Sequence, residues 1–253
     1  MQSVNQLVNE ANVGVLGYIT KTGRPMLVAV TPYLVGNQIL VTSTAAYTDK
    51  GEALRADARV VLAVDGVTLS GVANVSFDSS GWWFNEHLRQ QEAIKYPPAR
   101  SLFSIPGHRK LFPWYFQRFV IEIDVTHKTE TDVSHRNTLL GFTESNELQL
   151  VSLVDVHFDT HKRIALPAAA QTLRNDHASL LIHEEHGAMS DLRQLRHVGT
   201  ISNLNFVSER TIGSLEPKPT SLAQQIRMLN DLRRKAKANE PKLTGWQTPS
   251  FRS

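Results

Sequence analysis

The feature that most constrains the fold is an internal repeat. Two segments of the first half match two segments of the second half in their pattern of apolar, glycine and arginine residues, and a glycine in an apolar strand also has a counterpart. The matches are 16–41 with 140–166, 53–65 with 172–184, and Gly71 with Gly199. Repeats of this size correspond to whole structural units. The sequence therefore predicts two similar units, with chance matching of hydrophobic strands as the alternative.

Residues 42–64 of the first copy join a strand end, a polar loop, a short helix and a second strand. Thr48 or Asp49 can cap the helix, and Asp57 can end it. The loop hydroxyls, the Lys50 ammonium and the free amides at the helix start can converge on one phosphate. These hydroxyls belong to Thr42, Ser43, Thr44 and Thr48. An ordinary strand-helix-strand connection with a solvated lysine is the alternative.

Three local patterns resemble one known family. They are the hairpin with Gly23-Arg24-Pro25 near its turn, the run from Thr42-Ser43 through Lys50 to 54–60 (LRADARV), and the short strand that contains Gly71. Together they resemble the pyridoxamine 5′-phosphate oxidase-like, flavin-binding split-barrel family over about the first half of the chain. The resemblance implies a mainly β fold with α-helices, a split β-barrel. Because such proteins are typically homodimers with interfacial cofactor sites, a tandem copy implies a single-chain pseudo-dimer, with a homodimer as the alternative.

The same resemblance implies a cofactor and its contacts. Lys50, Ser43, Thr44 and Thr48 would hold the phosphate of flavin mononucleotide (FMN), and the strand 26–30, with Met26, Val28 and Val30, would lie along the isoalloxazine. The implied function is an FMN-dependent oxidoreductase that uses a small-molecule substrate and an electron donor, both unidentified. A deazaflavin-dependent oxidoreductase and a non-catalytic flavin- or haem-binding protein are the alternatives. In such sites the flavin takes the hydride, so no catalytic side chain is assigned.

The second copy differs from the first at the phosphate corner. Only residues 167–171 (PAAAQ) separate its strand from Leu173-Arg174, so the hydroxyl cluster and the equivalent of Lys50 are missing. A loop with fewer donors binds phosphate less well. The sequence therefore predicts one competent site, which the second unit helps to close.

The predicted domain organisation has three parts. Residues 1–133 form the unit with the phosphate corner, 134–207 form a shortened second unit, and 208–253 form a linker and a basic amphipathic helix that begins at Ser221. The segment 76–119 is rich in aromatic residues and contains a helix over 86–96. Aromatic residues at this density favour core or interface, with a lid over a flat cofactor as the alternative.

Composition and motifs exclude several classes. The chain has no cysteine, which removes disulfides and thiolate sites. Its formal charge of +3 is too small to predict nucleic-acid binding without a localised patch. No leader or membrane-length apolar run is evident, so a cytoplasmic protein without membrane contact is predicted. His157 and His161 flank a predicted hairpin turn, and His183 and His186 lie at a predicted strand end, so neither pair has the geometry of a helical zinc pair and no metal site is predicted.

Overall fold

The computed structural model describes residues 3–130, 138–153, 156–166, 177–184, 192–216 and 222–250. The helices are α1 (Val4–Glu10), α2 (Asp49–Ala56), α3 (Trp82–His87), α4 (Arg89–Lys95), α5 (Pro97–Phe103), α6 (His108–Leu111), α7 (Pro113–Phe116) and α8 (Leu222–Asn239), which a 3₁₀ turn, Glu240–Leu243, follows. The strands are β1 (Gly14–Ile19), β2 (Pro25–Val30), β3 (Pro32–Val35), β4 (Gln38–Thr44), β5 (Arg59–Val64), β6 (Val67–Asp78), β7 (Arg118–Glu130), β8 (Thr138–Glu144), β9 (Glu147–Ser152), β10 (Arg163–Ala165), β11 (His177–Glu184), β12 (Arg193–Ser202) and β13 (Asn205–Ser214).

The strands form two antiparallel sheets with the same internal order. The first sheet runs β2-β1-β5-β6-β7-β4-β3 and the second runs β9-β8-β11-β12-β13-β10. Six strands of one sheet therefore have counterparts in the other, in the same spatial sequence. This topology confirms the predicted mainly β fold with helices, built from two related units.

The strand register fixes which residues are equivalent in the two units. Gly17 lies opposite Val61 and Leu27, and Gly141 occupies the matching place in β8. Gly71 and Gly199 both stand at β-bulges. A Cβ added to either would lie about 2 Å from a backbone oxygen of the neighbouring strand, at 2.2 Å and 1.9 Å respectively. The two bulges need glycine for the same reason, because the neighbouring backbone approaches too closely for any side chain.

One part of the sequence match is out of register. The sequence match aligned Val60 with Ser179. In the structure, Val60 pairs with Tyr18. The counterpart of Tyr18 in the second unit is Phe142, and it pairs with Ala178. The equivalent of Val60 is therefore Ala178. A slip of one residue moves every side chain to the other face of a strand. Since both faces of β5 and β11 carry apolar residues, the hydrophobic pattern could not detect the slip.

Three apolar clusters define how the units pack. The inner face of the first sheet encloses a core with Leu16, Val41 and Leu62, which α1 closes through Val8. The second sheet encloses its own core around Leu140, Leu180, Ile201 and Phe206. Between the sheets, side chains of the opposite face meet, among them Leu27, Val61, Leu139, Leu148 and Leu181. The units thus bury one face of each sheet against the other.

The aromatic segment is a helical layer on the outer face of β3 and β4. Trp83, Phe84 and Phe103 pack there against Tyr33 and Leu40, together with Leu88, Phe116 and Val120. These aromatic residues are core, which is the interpretation the sequence favoured. The helix predicted over 86–96 is wrong in one respect, because Leu88 separates α3 from α4.

A buried ion pair ties this layer to β7. The Arg118 guanidinium donates to Glu92 at 2.9 Å, and Tyr115 donates its hydroxyl to the same carboxylate at 2.6 Å. Tyr33 donates to the other carboxylate oxygen. Burial lowers the pKa of Arg118, but Glu92, Tyr115 and Tyr33 together raise it, and the net shift is upward. Arg118 is therefore held as a charged group with a fixed partner.

A side-chain amide covers the edge strand β3. Gln91 donates from Nε2 to the Leu34 carbonyl at 2.6 Å and accepts from the Leu34 amide at 3.3 Å. Gln91→Ala should lower the free energy of unfolding by about 1–2 kcal/mol, because both backbone groups lose their partner. Urea unfolding measures this, with Gln90→Ala, an exposed neighbour on α4, as the control. Equal midpoints for the two variants would contradict this role of Gln91.

The carboxy-terminal region follows a different course from the prediction. The predicted linker is wrong over 208–214, and the repeat extends past Asn203, because β13 reaches Ser214 and takes the place that β7 has in the first unit. The start of α8 agrees with the prediction, although the proposed cap, Ser221, is outside the described residues. None of the described helices combines the length and apolar character needed to cross a membrane.

The second half of α8 packs on the body of the protein. Leu232 and Ala236 join a cluster with Phe119, Leu243 and Trp246, whereas Met228 and Leu229 are 54% and 39% exposed. Beyond α8, the chain lies against β6, where the Phe77 amide donates to the Gln247 carbonyl at 2.8 Å.

Candidate functional site

The residues predicted to bind phosphate lie where β4 turns into α2. Thr48 is the N-cap residue of α2 and Asp57 is its C-cap, as the sequence predicts, although the Thr48 hydroxyl makes no capping hydrogen bond. Gly51 lies against the ring of Phe119, where an added Cβ would be 2.8 Å from the ring. This close approach seats the first turn of α2 on the sheet and sets the direction of Lys50.

Lys50 points inward, and no carboxylate of the described residues forms an ion pair with it. Its ammonium donates to the Ser43 hydroxyl at 3.2 Å, and the same hydroxyl donates to the Tyr47 carbonyl at 3.2 Å. Burial, followed by the positive charges of Arg196 and Arg118, lowers the pKa of Lys50 to about 8. The corner therefore holds a cation in surroundings that oppose its charge.

The second unit supplies another cation to the same place. Arg196 of β12 is close enough to raise the electrostatic cost of charging Lys50, and it also acts on Tyr18. Its Nε atom is buried, and the described residues offer it no hydrogen-bond partner. Burial, and then the charge of Arg210, lowers the pKa of Arg196. Sequence reasoning did not find Arg196.

Ion pairs in the described part of the chain leave both cations uncompensated. Arg118 is bound to Glu92 and Arg24 to Glu209, at 2.9 Å and 2.8 Å, but no such pair includes Lys50 or Arg196 among those residues. Burying a charge is costly unless it is paired. Two partly buried cations that act on each other electrostatically, with no ion-pair partner for either among the described residues, favour the binding of an anion, and a phosphate suits this set of donors.

The predicted hydroxyls do not all converge on Lys50. Side chains alternate along a strand, so Ser43 shares the inner face of β4 with Val41, while Thr42 and Thr44 share the outer face with Leu40. Thr44 Oγ1 is buried and has no partner among the described residues. The Thr48 side chain interacts with Glu52 instead. The pKa of the Glu52 carboxylate is lowered chiefly by Lys21, and Thr48 adds a smaller contribution. The structure brings together Ser43 and Lys50 only.

The strand β2 is the edge of the first sheet, and it faces β12. The Ala29 amide donates to the side chain of Gln194 at 3.4 Å, so the backbone groups of Ala29 and, by alternation, Leu27 point away from β1. Met26 and Val30 bury their side chains in the first core, and Val28 packs against it. The residues predicted to contact the flavin ring, Met26, Val28 and Val30, direct their backbone groups towards β1. In the same strand, Leu27 and Ala29 are the residues whose backbone groups point to the open edge of the sheet.

The equivalent place in the second unit lacks these groups. Register assigns Phe142 to the position of Tyr18, and Thr68 to the position of Arg196. The shortened loop predicted to lack a lysine, with Arg174, lies in 167–176, outside the described residues. The two pseudo-equivalent sites therefore differ at the positions whose counterparts the structure describes.

The histidines do not form a metal centre in the described residues. His157 and His161 are exposed around a turn, and His186 lies outside the described part. No group of three histidine, aspartate or glutamate side chains that could hold a metal occurs within that part. His197 is buried and bonds through Nδ1 to Ser208 at 2.9 Å, and burial lowers its pKa.

Comparisons with known proteins find similar structures and no similar sequence family. No family model matches the chain. No curated protein matches it either. The similar solved structures include a conserved hypothetical protein from Mycobacterium tuberculosis, with 18% identity, a TM-score of 0.38, and coverage of 51% of this chain and 83% of that one.

Two further matches have informative descriptions. An F420 reductase has 13% identity and a TM-score of 0.36, and the match covers 51% of this chain and 98% of that chain. A protein from Listeria innocua, which is described as a pyridoxamine 5′-phosphate oxidase by assignment, has 18% identity and a TM-score of 0.31. The match covers 49% of this chain and 91% of that chain. The chain is similar, over about half its length, to solved structures that include pyridoxamine 5′-phosphate oxidase-like proteins.

Proposed function

We propose that the chain binds FMN between its two units and is a flavin-dependent oxidoreductase. The observation that carries this proposal is the pair of partly buried cations from different units, Lys50 and Arg196, neither of which has an ion-pair partner in the part of the chain that the structure describes. Ser43 adds a hydroxyl at the Lys50 ammonium. These groups would hold the phosphate.

The remainder of the ligand fits beside β2. The outward backbone groups of Leu27 and Ala29 would meet the polar edge of the ring system, and Gln194, now at a long 3.4 Å from the Ala29 amide, would yield to it. A bound flavin supplies the electron and hydride chemistry, and the protein supplies binding, orientation and electrostatics. Tyr18, whose pKa burial raises to about 12, stays neutral beside Arg196 and adds no competing negative charge.

The absorption spectrum of the purified protein tests the proposal. A yellow protein that a nicotinamide donor bleaches and an electron acceptor restores would support a flavin-dependent oxidoreductase. A flavin spectrum without turnover would favour a non-catalytic flavin-binding protein. A Soret band would favour haem at the same cations, and preference for a deazaflavin over FMN would identify that cofactor instead.

Arg196→Thr gives a residue-level test. Threonine is the residue at the equivalent position of the first unit, Thr68, so the strand should accept it. We expect the affinity for FMN to fall about tenfold, because one charge-assisted contact of roughly 1.5 kcal/mol is lost. Titration of flavin fluorescence measures this, with Arg233→Thr on the exposed face of α8 as the control. Unchanged affinity in Arg196→Thr would remove the second unit from the site.

A further inference from the structure

A second cationic cleft lies on the outer side of α2, away from Lys50. Three separate segments form it: the β1–β2 turn, α2 and the chain after α8. Its volume is about 310 Å³, and it is lined by Lys21, Glu52, Arg55, Ala56, Lys242 and Trp246. The cleft therefore exists only when the carboxy-terminal segment is folded against the first unit.

The charges in this cleft are unbalanced. Lys21 forms an ion pair with Glu52, and the pKa of that carboxylate is lowered, chiefly by Lys21 and further by Lys242. Among the described residues that line the cleft, Glu52 is the one carboxylate, against three cations. The described residues give neither Arg55 nor Lys242 an ion pair, so the lining carries an excess of two positive charges.

An aromatic ring holds one of these cations in place. The Arg55 guanidinium lies over the indole of Trp246, with 4.8 Å between its carbon and the ring centroid. The indole in turn packs edge-on against Phe119 at 5.0 Å and donates from Nε1 to the Lys242 carbonyl at 3.1 Å. Stacking on an aromatic face leaves the guanidinium edge free to donate, because cation–π contact uses the face of the group.

We propose that this cleft binds the phosphate group of a phosphorylated small molecule. A phosphomonoester carries a charge of about −1.5 to −2 at neutral pH and matches the excess, whereas a carboxylate at −1 would leave one cation unbalanced. Arg55 supplies a fixed fork of donors, and Lys242 and Lys21 supply mobile point charges. The proposal rests on the cleft itself and is independent of flavin binding at Lys50.

The indole N–H signal of Trp246 in nitrogen-15 NMR reports binding, with adenosine 5′-monophosphate (AMP) as the probe and adenosine as the uncharged control. Ionic strength is held constant with chloride. We expect saturable shifts with AMP and none with adenosine. Lys242→Met should weaken AMP binding about tenfold, whereas Lys237→Met, on the exposed face of α8, should leave it unchanged.

Three other results would contradict a phosphate site in this cleft. Equal weakening in the Lys237 and Lys242 variants would show that only general screening was measured. Loss of the shift in Lys50→Met, with Lys242→Met unaffected, would place AMP at the inner site. Shifts with adenosine equal to those with AMP would show that phosphate is not recognised. Failure of FMN to bind at Lys50 would leave this test intact.

Discussion

Lys50→Met should weaken FMN binding at least tenfold and at the same time stabilise the ligand-free protein. The affinity loss follows from removal of a charge-assisted phosphate contact of roughly 1.5–3 kcal/mol. The stability gain follows because the ammonium is buried beside Arg196 and Arg118, which lowers its pKa to about 8. An apolar side chain of similar length removes that unfavourable charge, for a gain on the order of 1–2 kcal/mol.

Flavin titration and urea unfolding of the ligand-free protein measure the two effects, with Lys237→Met as the control. Lys237 is exposed, so its replacement should change neither quantity. The opposite signs are the informative part, since a lysine that only supports the fold would lose both affinity and stability. A destabilised Lys50→Met protein would contradict the interpretation of Lys50 as a cation held for a ligand.

In the wild type, stability and FMN affinity should change in opposite directions with pH. The pKa of Lys50 is about 8 in the folded protein and 10.5 in the unfolded chain. Between these values the unfolded chain binds more protons, so the stability of the ligand-free protein should rise with pH relative to Lys50→Met. Affinity for FMN should fall over the same range, because the lysine loses its charge while the phosphate remains a dianion.

Local sequence was sufficient to predict the helix and the strand that follow β4. The boundaries of β5, the N-cap of α2 at Thr48 and its end at Asp57 all follow from short-range signals: a β-branched run, a hydroxyl residue before a helix, and an aspartate after it. A strand over 26–30 was also predicted, and β2 spans it. Its outward groups were not, because which backbone amides face outward depends on the pairing with β1.

Arg196 could not be placed from local pattern. It follows Leu195 in a strand that pairs with β11 on one side and β13 on the other, and only the packing of the two units brings it to Lys50. The repeat offered one signal, since a cation stands where the first unit has threonine. The match of Gly71 with Gly199 already aligned these two positions, but no local pattern indicates that this strand of the second unit packs beside Lys50.

The equivalences read from register predict that the two pseudo-equivalent sites are unequal. The first site has Tyr18, Lys50 and Arg196, whereas Phe142 and Thr68 take the places of the tyrosine and the arginine. The loop between β10 and β11 contains no lysine. Two charge-assisted contacts of about 1.5 kcal/mol each are then missing, so the affinities should differ by at least about a hundredfold.

Titration of the flavin-free protein with FMN should therefore saturate at about one equivalent per chain. Isothermal calorimetry measures the stoichiometry, and light scattering on the same sample shows whether the particle is one chain or a dimer of chains. Arg196→Thr makes the described cationic position of the first site resemble the second, so it should lower the affinity of the single event without adding another. Two equivalents with indistinguishable affinities would mean that residues outside the described part restore the second site. The asymmetry inferred from Phe142 and Thr68 would then be wrong.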